Sequence, residues 1–192
     1  MDTQKFFDSI RETLFNGKLK SSQVEGIESI LAECKLAGIT DKRWIAYMLA
    51  TVIHETARTM QPIKEYGEGK KYDYGKKIKM SRKTYTTPDK IYFGRGYVQL
   101  TWYENYSGLG KLLKIDLLNN PDLALDKKIA SRIMIEGMTK AKSSFGDFTG
   151  KCLEMYFNEK VTDWVNARKI INGLDKAELI AGYAKKFYEA LS

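Results

Sequence analysis

Two carboxylates ten positions apart, Glu55 and Glu65, are the residues best suited to chemistry. Glu55 ends a run of helical periodicity and, at about 100° per residue, falls on the same side as the apolar Met48 and Val52. Burial and the negative end of the helix dipole both disfavour a charged carboxylate there, which suits a general acid. An ordinary helix-end glutamate that pairs with Arg58 fits the same position equally well.

Glu65 follows Pro62 in a predicted loop, where a carboxylate stays hydrated and ionised. Hydrolysis of a glycosidic bond needs one protonated carboxyl group to assist the leaving oxygen and one ionised group to activate water or attack carbon. Acidic pairs at this spacing are common, and Glu68 and Asp73 compete with Glu65 for the second role.

The only histidine, His54, directly precedes Glu55. A zinc-protease helix would need a second histidine where Arg58 stands, and one histidine with two distant cysteines makes a poor zinc site. We therefore predict no metal and no cofactor. A peptidase that uses Cys34 or Cys152 with His54 stays open, although both cysteines lie in apolar helical surroundings that suit packing.

Residues 92–102 form an aromatic segment with two glycines, Tyr-Phe-Gly-Arg-Gly-Tyr-Val-Gln-Leu-Thr-Trp. The third glycine of a dinucleotide-binding loop is absent, because Gln99 stands in its place. Amides and hydroxyls suit the edge of a sugar ring, and flat aromatic side chains suit its C–H face. The segment and its continuation offer both kinds of group: Tyr92, Tyr97, Gln99, Thr101, Trp102, Tyr103 and Asn105. A buried aromatic strand or turn is the alternative.

Helical periodicity predicts the elements that position these residues. Four helices are delimited by a capping box of Ser22 and Glu25, a stop at Gly38, a start after Thr40, a cap at Asp126 and a start near Asp175. Residues 61–92 are polar and rich in tyrosine, which is typical of a segment that lines a binding site or is mobile. Two alternating stretches, at residues 77–80 and 83–86, predict a small hairpin.

The composition is that of one globular domain, with 192 residues, 43% hydrophobic and 29% charged. A net charge of +8 attracts polyanions such as nucleic acid, acidic lipid and the stem-peptide carboxylates of peptidoglycan. No apolar run approaches the roughly 20 residues that span a bilayer, so we expect no membrane insertion. No secretory signal is visible at the N-terminus, which predicts synthesis and folding in the cytoplasm.

Four stretches of the sequence resemble the chitinase-like glycoside hydrolase family 19, with a pattern nearest to its phage endolysin branch. The resemblance extends from about Gln23 to Ala190. The stretches are residues 54–56 (the helix of the catalytic acid), 61–66 (the second carboxylate), 93–101 with 105–106 (the family signature) and 168–173 (an arginine-containing Ile-Asn-Gly segment).

The resemblance implies a mainly α-helical, lysozyme-like domain with two lobes and a small β-hairpin in the cleft region. It also implies inversion at the anomeric carbon, with Glu55 as the acid and Glu65 as the base about 6.5–9.5 Å away. Thr101 matches the position whose hydroxyl orients the attacking water. Residues expected to bind substrate, by shaping or lining the cleft, are His54, Tyr92, Gln99, Asn105, Arg168 and Asn172. Glu68 remains the alternative base.

Two departures from the plant chitinases of this family bear on the substrate. Their disulfides cannot be supplied by Cys34 and Cys152, and the loop after Glu65 is shorter. We therefore expect a phage endolysin that hydrolyses β-1,4 bonds between N-acetylmuramic acid and N-acetylglucosamine in bacterial peptidoglycan. Residues 1–192 form its single catalytic domain, without a separate wall-binding domain.

Further expectations concern its setting. The endolysin is a monomer in the host bacterial cytoplasm and reaches the wall after the inner membrane is opened. Anionic lipids of the outer envelope are an additional partner, and nucleic acid is not. A chitinase acting on poly-N-acetylglucosamine is the alternative enzyme. A non-catalytic module that binds the wall or nucleic acid is the alternative of another class, which the charge and the 12 tyrosines permit.

Overall fold

The computed structural model describes residues 2–68, 92–140 and 148–192, together with the backbone of two short strands between the first two ranges. The helices in these ranges are α1 (Thr3–Phe15), α2 (Ser21–Leu36), α3 (Lys42–Glu55), α4 (Tyr103–Leu113), α5 (Lys127–Thr139) and α6 (Ala177–Leu191). Short 3₁₀ helices cover Pro121–Leu125, Leu153–Met155 and Asn166–Ile170. The prediction of a mainly α-helical fold is confirmed.

The described strands form two small antiparallel sheets. Strand β1 (Ile63–Lys64) pairs with β4 (Arg95–Gly96), and β2 (Lys79–Met80) pairs with β3 (Lys83–Thr84). The second pair is the hairpin that the alternating stretches predict. The first pair was not predicted, because two-residue strands carry no periodicity that a sequence can show.

Helix α3 lies at the centre of the fold. The side chain of Asp41 caps its first turn by accepting a hydrogen bond from the Arg43 amide (2.8 Å). Residues 46–53 are all buried, so no face of this part of the helix meets solvent. A helix buried all round must be covered by other elements. Helix α6 packs against it most extensively, and α2 and α5 cover further parts.

The first helix, α1, was missed at the level of the sequence. Its buried residues are Phe6, Phe7, Ile10, Leu14 and Phe15, an amphipathic pattern that faces α6. Asp2 caps it by accepting a hydrogen bond from the Lys5 amide (3.2 Å). Among the described residues, no helix is both long and apolar enough to cross a membrane.

The predicted capping box of Ser22 and Glu25 is wrong. Helix α2 begins one residue before Ser22, and the Lys20 amide donates to the Gln23 side-chain oxygen (2.8 Å). Glu25 instead pairs with Lys127 of α5 at 2.6 Å. The stop at Gly38 and the cap at Asp126 are confirmed, since Gly38 has a φ of +71° and Asp126 accepts from two amides of α5.

A tight turn connects α3 to β1 and therefore lies between Glu55 and Glu65. Ala57, Arg58 and Met60 have positive φ angles of 47°, 68° and 54°, which cost about 1–2 kcal/mol for each non-glycine residue. Contacts with α2 hold the turn. The side-chain amide of Gln23 donates to the Arg58 carbonyl oxygen (2.8 Å), and the Met60 carbonyl lies directly against Gly26.

We expect Gly26→Ala to lower the free energy of unfolding by about 1–3 kcal/mol, because the added methyl would overlap the Met60 carbonyl oxygen. Gly182→Ala in α6 is the matched control. Nothing lies within 4 Å of a methyl at that position, so it should gain up to about 1 kcal/mol from helix propensity. Urea unfolding followed by circular dichroism measures both. Equal effects of the two substitutions would show that α2 does not hold the turn.

Candidate active site

Glu55 is the last residue of α3, and its carboxylate forms an ion pair with Arg168. The Nη1 atom of Arg168 donates to Oε1 of Glu55 at 2.7 Å. The side chains are only 4% and 17% exposed, respectively. Arg168 also donates from Nε to the Asp175 carbonyl oxygen (3.0 Å). The purely apolar surroundings predicted for Glu55 are therefore wrong, because a guanidinium lies against the carboxylate.

The predicted alternative partner of Glu55, Arg58, points elsewhere. Its guanidinium donates to the Leu14 carbonyl oxygen and to the Tyr183 hydroxyl (3.2 Å). It also lies 5.6 Å from the Tyr183 ring centre and 5.8 Å from that of Phe15. Arg58 thus joins α1 to α6, and its pairing with Glu55 is wrong.

Glu65 directly follows β1 and is held by Gly94 in two ways. Its amide donates to the Gly94 carbonyl oxygen (2.8 Å), and its Oε2 accepts a hydrogen bond from the Gly94 amide (3.0 Å). The register of the strand pair, Ile63 opposite Gly96 and Lys64 opposite Arg95, brings these groups together. The Glu65 carboxylate therefore has a fixed position relative to the backbone of the signature segment.

Gln99 also lies close to Gly94. Its amide nitrogen donates to the carbonyl oxygens of Ile63 (3.2 Å) and Gly96 (3.3 Å), one from each strand. A Cβ atom at position 94 would lie 2.8 Å from Oε1 of Gln99 and 3.1 Å from Oε2 of Glu65. A side chain at position 94 would therefore displace the Gln99 amide and press on the Glu65 carboxylate. Gln99 thus contacts both strands, and its role at the site stays a prediction.

Glu68, the alternative to Glu65, is exposed to solvent. Its amide donates to the Glu65 carbonyl oxygen (3.2 Å), which continues the turn after β1. The Glu65 carboxylate is anchored by a backbone amide, so the geometry favours Glu65 for a role that requires a fixed carboxylate. Asp73, the other competitor, lies outside the described residues.

Arg95 is buried, with a side chain that is 5% exposed, beside this pair of strands. Its Nε donates to Oδ1 of Asp122 (2.6 Å), and its Nη1 donates to the Phe93 carbonyl oxygen (3.2 Å) and the Tyr106 hydroxyl (3.1 Å). The guanidinium stacks 3.7 Å from the Phe93 ring centre. Lys64 binds the other carboxylate oxygen of Asp122 at 3.0 Å.

Asp122 was not identified in the sequence, and no spacing links it to Lys64 or Arg95. Partial burial raises the pKa of its carboxyl group, but the hydrogen bonds from Lys64 and Arg95 outweigh this effect and hold the pKa below its usual value. Asp122 and both cations line a cavity of about 660 Å³. Glu55 and Glu65, both among the described residues, do not line this cavity. The cavity therefore lies beside the candidate site.

Two of the predicted aromatic sugar contacts belong to the core. Tyr92 and Tyr97 are fully buried. The Tyr92 hydroxyl donates to the Leu118 carbonyl oxygen (3.1 Å), and its ring packs against Tyr103 and Tyr106. The predicted substrate contact of Tyr92 is therefore wrong, because aromatic residue type alone does not separate a buried ring from an exposed one.

Thr101 and Asn105 lie at the start of α4, where both are partly exposed. The Asn105 side-chain amide donates to the Thr101 carbonyl oxygen (3.0 Å) and ties the two together. His54 is half-buried beside Glu55, and Asn172 is exposed. The roles of these four residues stay predictions.

Arg168 needs a correction of a different kind. It is 3% exposed, so its predicted contact with substrate is wrong. Its guanidinium bonds to Glu55 and to the backbone, and it shapes the site through Glu55.

The cysteines do not support the peptidase alternative. Cys34 is fully buried, and its Sγ lies 3.8 Å from Sδ of Met48. Burial, with a smaller contribution from the negative charge of Glu33, raises the pKa of the Cys34 thiol to about 12, which makes it a poor nucleophile. Cys152 is also buried. Within the described ranges, no group of three or more His, Cys, Asp or Glu residues is placed to hold a metal ion.

Comparison with known sequences identifies similar proteins. Residues 33–144 match the family model described as chitinase class I, of glycoside hydrolase family 19. Endochitinase 2 of Gossypium hirsutum is 42% identical over 94 residues, which cover 44% of this chain and 30% of that protein. An endochitinase of Arabidopsis thaliana is 32% identical over 127 residues, which cover 63% and 41%, respectively. The chain thus spans less than half of the length of either relative.

Comparison with solved structures gives the same fold. A bacterial family 19 chitinase superimposes with a TM-score of 0.61 and 22% identity, over 98% of this chain and 93% of that chain. Chitinase C from Streptomyces griseus HUT6037 gives a TM-score of 0.60 and 20% identity, over 98% and 75%. These likenesses cover the described helices as a whole and establish the fold.

We expect Arg168→Met to lower the free energy of unfolding by about 3–5 kcal/mol, because it leaves the half-buried Glu55 carboxylate without its cation. Lys127→Met is the matched control, since it breaks an ion pair of similar length, 2.6 Å, whose side chains are 36% and 60% exposed. That loss should stay below about 1 kcal/mol. Chemical denaturation compares the two variants, and a loss no greater in Arg168→Met than in the control would contradict a structural role of the buried pair.

Proposed function

The chain belongs to glycoside hydrolase family 19, and from this premise we propose that it cleaves β-1,4 bonds in a polymer of N-acetylglucosamine by an inverting mechanism. The proposal rests on the pair of hydrogen bonds between Gly94 and Glu65, one to the backbone and one to the carboxylate of Glu65, which we call the clamp. The clamp fixes one carboxylate, while the ion pair with Arg168 fixes the other, Glu55. Glycoside hydrolysis by two glutamates requires that each carboxyl group has a defined position on either side of the scissile bond.

In the proposed reaction, Glu55 donates a proton to the glycosidic oxygen. Arg168 binds Oε1 of Glu55, so Oε2 is the oxygen that carries this proton. When the proton leaves, Arg168 stabilises the negative charge that develops on the carboxylate. Glu65, held by Gly94, takes a proton from the water that attacks the anomeric carbon from the opposite face, and Thr101 orients that water.

We choose the proposed substrate from the similar proteins and not from the expectation of an endolysin. The similar proteins are named as chitinases and endochitinases, which supports the chitinase alternative over the endolysin. Poly-N-acetylglucosamine is therefore the first substrate that we propose.

Peptidoglycan is the second candidate, and the net charge of +8 favours it because the stem peptides of the wall carry carboxylates. This candidate retains the other expectations: a phage endolysin made as a single-domain monomer in the host cytoplasm. In this version the enzyme meets the wall and anionic envelope lipids once the inner membrane is open.

We expect Glu55→Gln and Glu65→Gln each to lower kcat on N-acetylglucosamine oligomers at least about 100-fold, because an amide keeps the shape but neither donates nor accepts the reacting proton. Glu68→Gln is the matched control, three residues from Glu65 and exposed, and should retain activity within about twofold. Reducing-sugar release measures the rates, and proton NMR of the first product identifies the anomer. Full activity of Glu55→Gln, or retention of the anomeric configuration, would contradict the proposed mechanism.

A parallel assay with purified peptidoglycan separates the two substrates. The proposed chitinase should release sugar from N-acetylglucosamine oligomers at least about tenfold faster than from peptidoglycan at equal sugar concentration. If wall binding depends on the basic surface, the peptidoglycan rate alone should fall as salt is raised from 0.05 to about 0.5 M, since exposed charges are then screened. A higher rate on peptidoglycan would establish the second candidate.

A further inference from the structure

We propose that Asp122 is a positioning residue for Glu65, which it holds through an ionic bridge to Lys64 and Arg95. The inference rests on the proposed function only in that Glu65 is taken as the base. Asp122 lies outside the family signature and outside the carboxylate segments, and it would act from a third part of the chain.

The bridge crosses the pair of strands at the residues that adjoin the clamp. Lys64 directly precedes Glu65, and Arg95 directly follows Gly94; the two are partners in the antiparallel register. Asp122 accepts from Lys64 at Oδ2 (3.0 Å) and from Arg95 at Oδ1 (2.6 Å). One carboxylate therefore joins both strands one residue away from the hydrogen bond between Gly94 and Glu65.

The strands need such a bridge because β1 and β4 have only two residues each. A ladder this short has little stability of its own, so side chains must fix its alignment. On β4, Arg95 and the Tyr106 hydroxyl both donate to the Phe93 carbonyl oxygen, the latter at 2.9 Å. Lys64 is the link to β1, and removal of Asp122 would break the ionic bridge between the two strands.

Close packing brings Asp122 to this place. It belongs to the 3₁₀ helix Pro121–Leu125, which contacts β4. A Cβ atom at Gly96 would lie 2.8 Å from the Ala124 carbonyl oxygen, so the backbone of β4 rests directly on this helix. This close packing of the 3₁₀ helix against β4 places Asp122 beside the pair of strands.

A second ion pair provides a control for general effects on stability. The side chains of Lys64 and Asp122 are 36% and 59% exposed, and those of Lys127 and Glu25 are 36% and 60% exposed. Exposed ion pairs contribute little to folding stability. Glu25→Ala therefore reproduces the loss of an exposed carboxylate that pairs with a lysine, away from the strands next to Glu65, whereas the pair of Asp122 with the buried Arg95 has no counterpart there.

The kinetic test uses N-acetylglucosamine oligomers. Asp122→Ala should lower kcat about tenfold or more, because small displacements of a reacting group are costly, while KM stays within about twofold. Asp122→Glu should restore most of the rate, and Glu25→Ala should leave it unchanged. In a Glu65→Gln background, Asp122→Ala should cause no further loss, since both act through one carboxylate. A further tenfold loss in that background would overturn the inference.

Hydrogen exchange at the Gly94 amide gives a readout that does not need activity. Asp122→Ala should accelerate this exchange about tenfold by loosening the hydrogen bond to Glu65, and Glu25→Ala should not. If the wild type cleaves no glycan, the proposed function fails. The exchange rate of the Gly94 amide then tests by itself whether Asp122 positions Glu65. Unchanged exchange at Gly94 in Asp122→Ala would overturn the positioning role.

Discussion

The complete burial of residues 46–53 in α3 is the constraint from which the arrangement of the other helices follows. A helix without a polar face is stable only where neighbours cover it on all sides, and α6, α2 and α5 supply that cover. The burial ends two residues before the C-terminus of α3, where His54 and Glu55 are partly exposed. The same helix therefore organises the core and places a carboxylate at its boundary.

The two carboxylates of the site are held by different kinds of interaction. Glu55 depends on Arg168, which is 113 positions away and reaches it only when the last third of the chain has packed against α3. Glu65 depends on the backbone of Gly94, and this contact requires the pairing of two short strands. Glu55 is thus coupled to the global fold, whereas Glu65 is coupled to a pair of strands that the 3₁₀ helix Pro121–Leu125 supports.

Local signals in the sequence predicted the parts of this structure that depend on local physics. Helical periodicity placed the end of α3 at Glu55, and Asp126 marked the start of α5. The partner of Glu55 was not predictable from spacing, since Arg58 lies nearer in the chain than Arg168. The resemblance to a known family favoured Glu65 over its neighbouring carboxylates and drew attention to Arg168, but it could not show that Arg168 is buried. The predicted substrate contact of Tyr92 was wrong for a related reason, because the burial of a side chain depends on the whole fold.

The turn of left-handed residues between α3 and β1 constrains how the site can diversify. Ala57, Arg58 and Met60 close the shortest path from one carboxylate to the other, and α2 holds this path by hydrogen bonding and close packing. Adding or deleting one residue there would invert the face that β1 presents, since side chains alternate along a strand. The number of residues between Glu55 and Glu65 is therefore tied to the packing of this turn against α2.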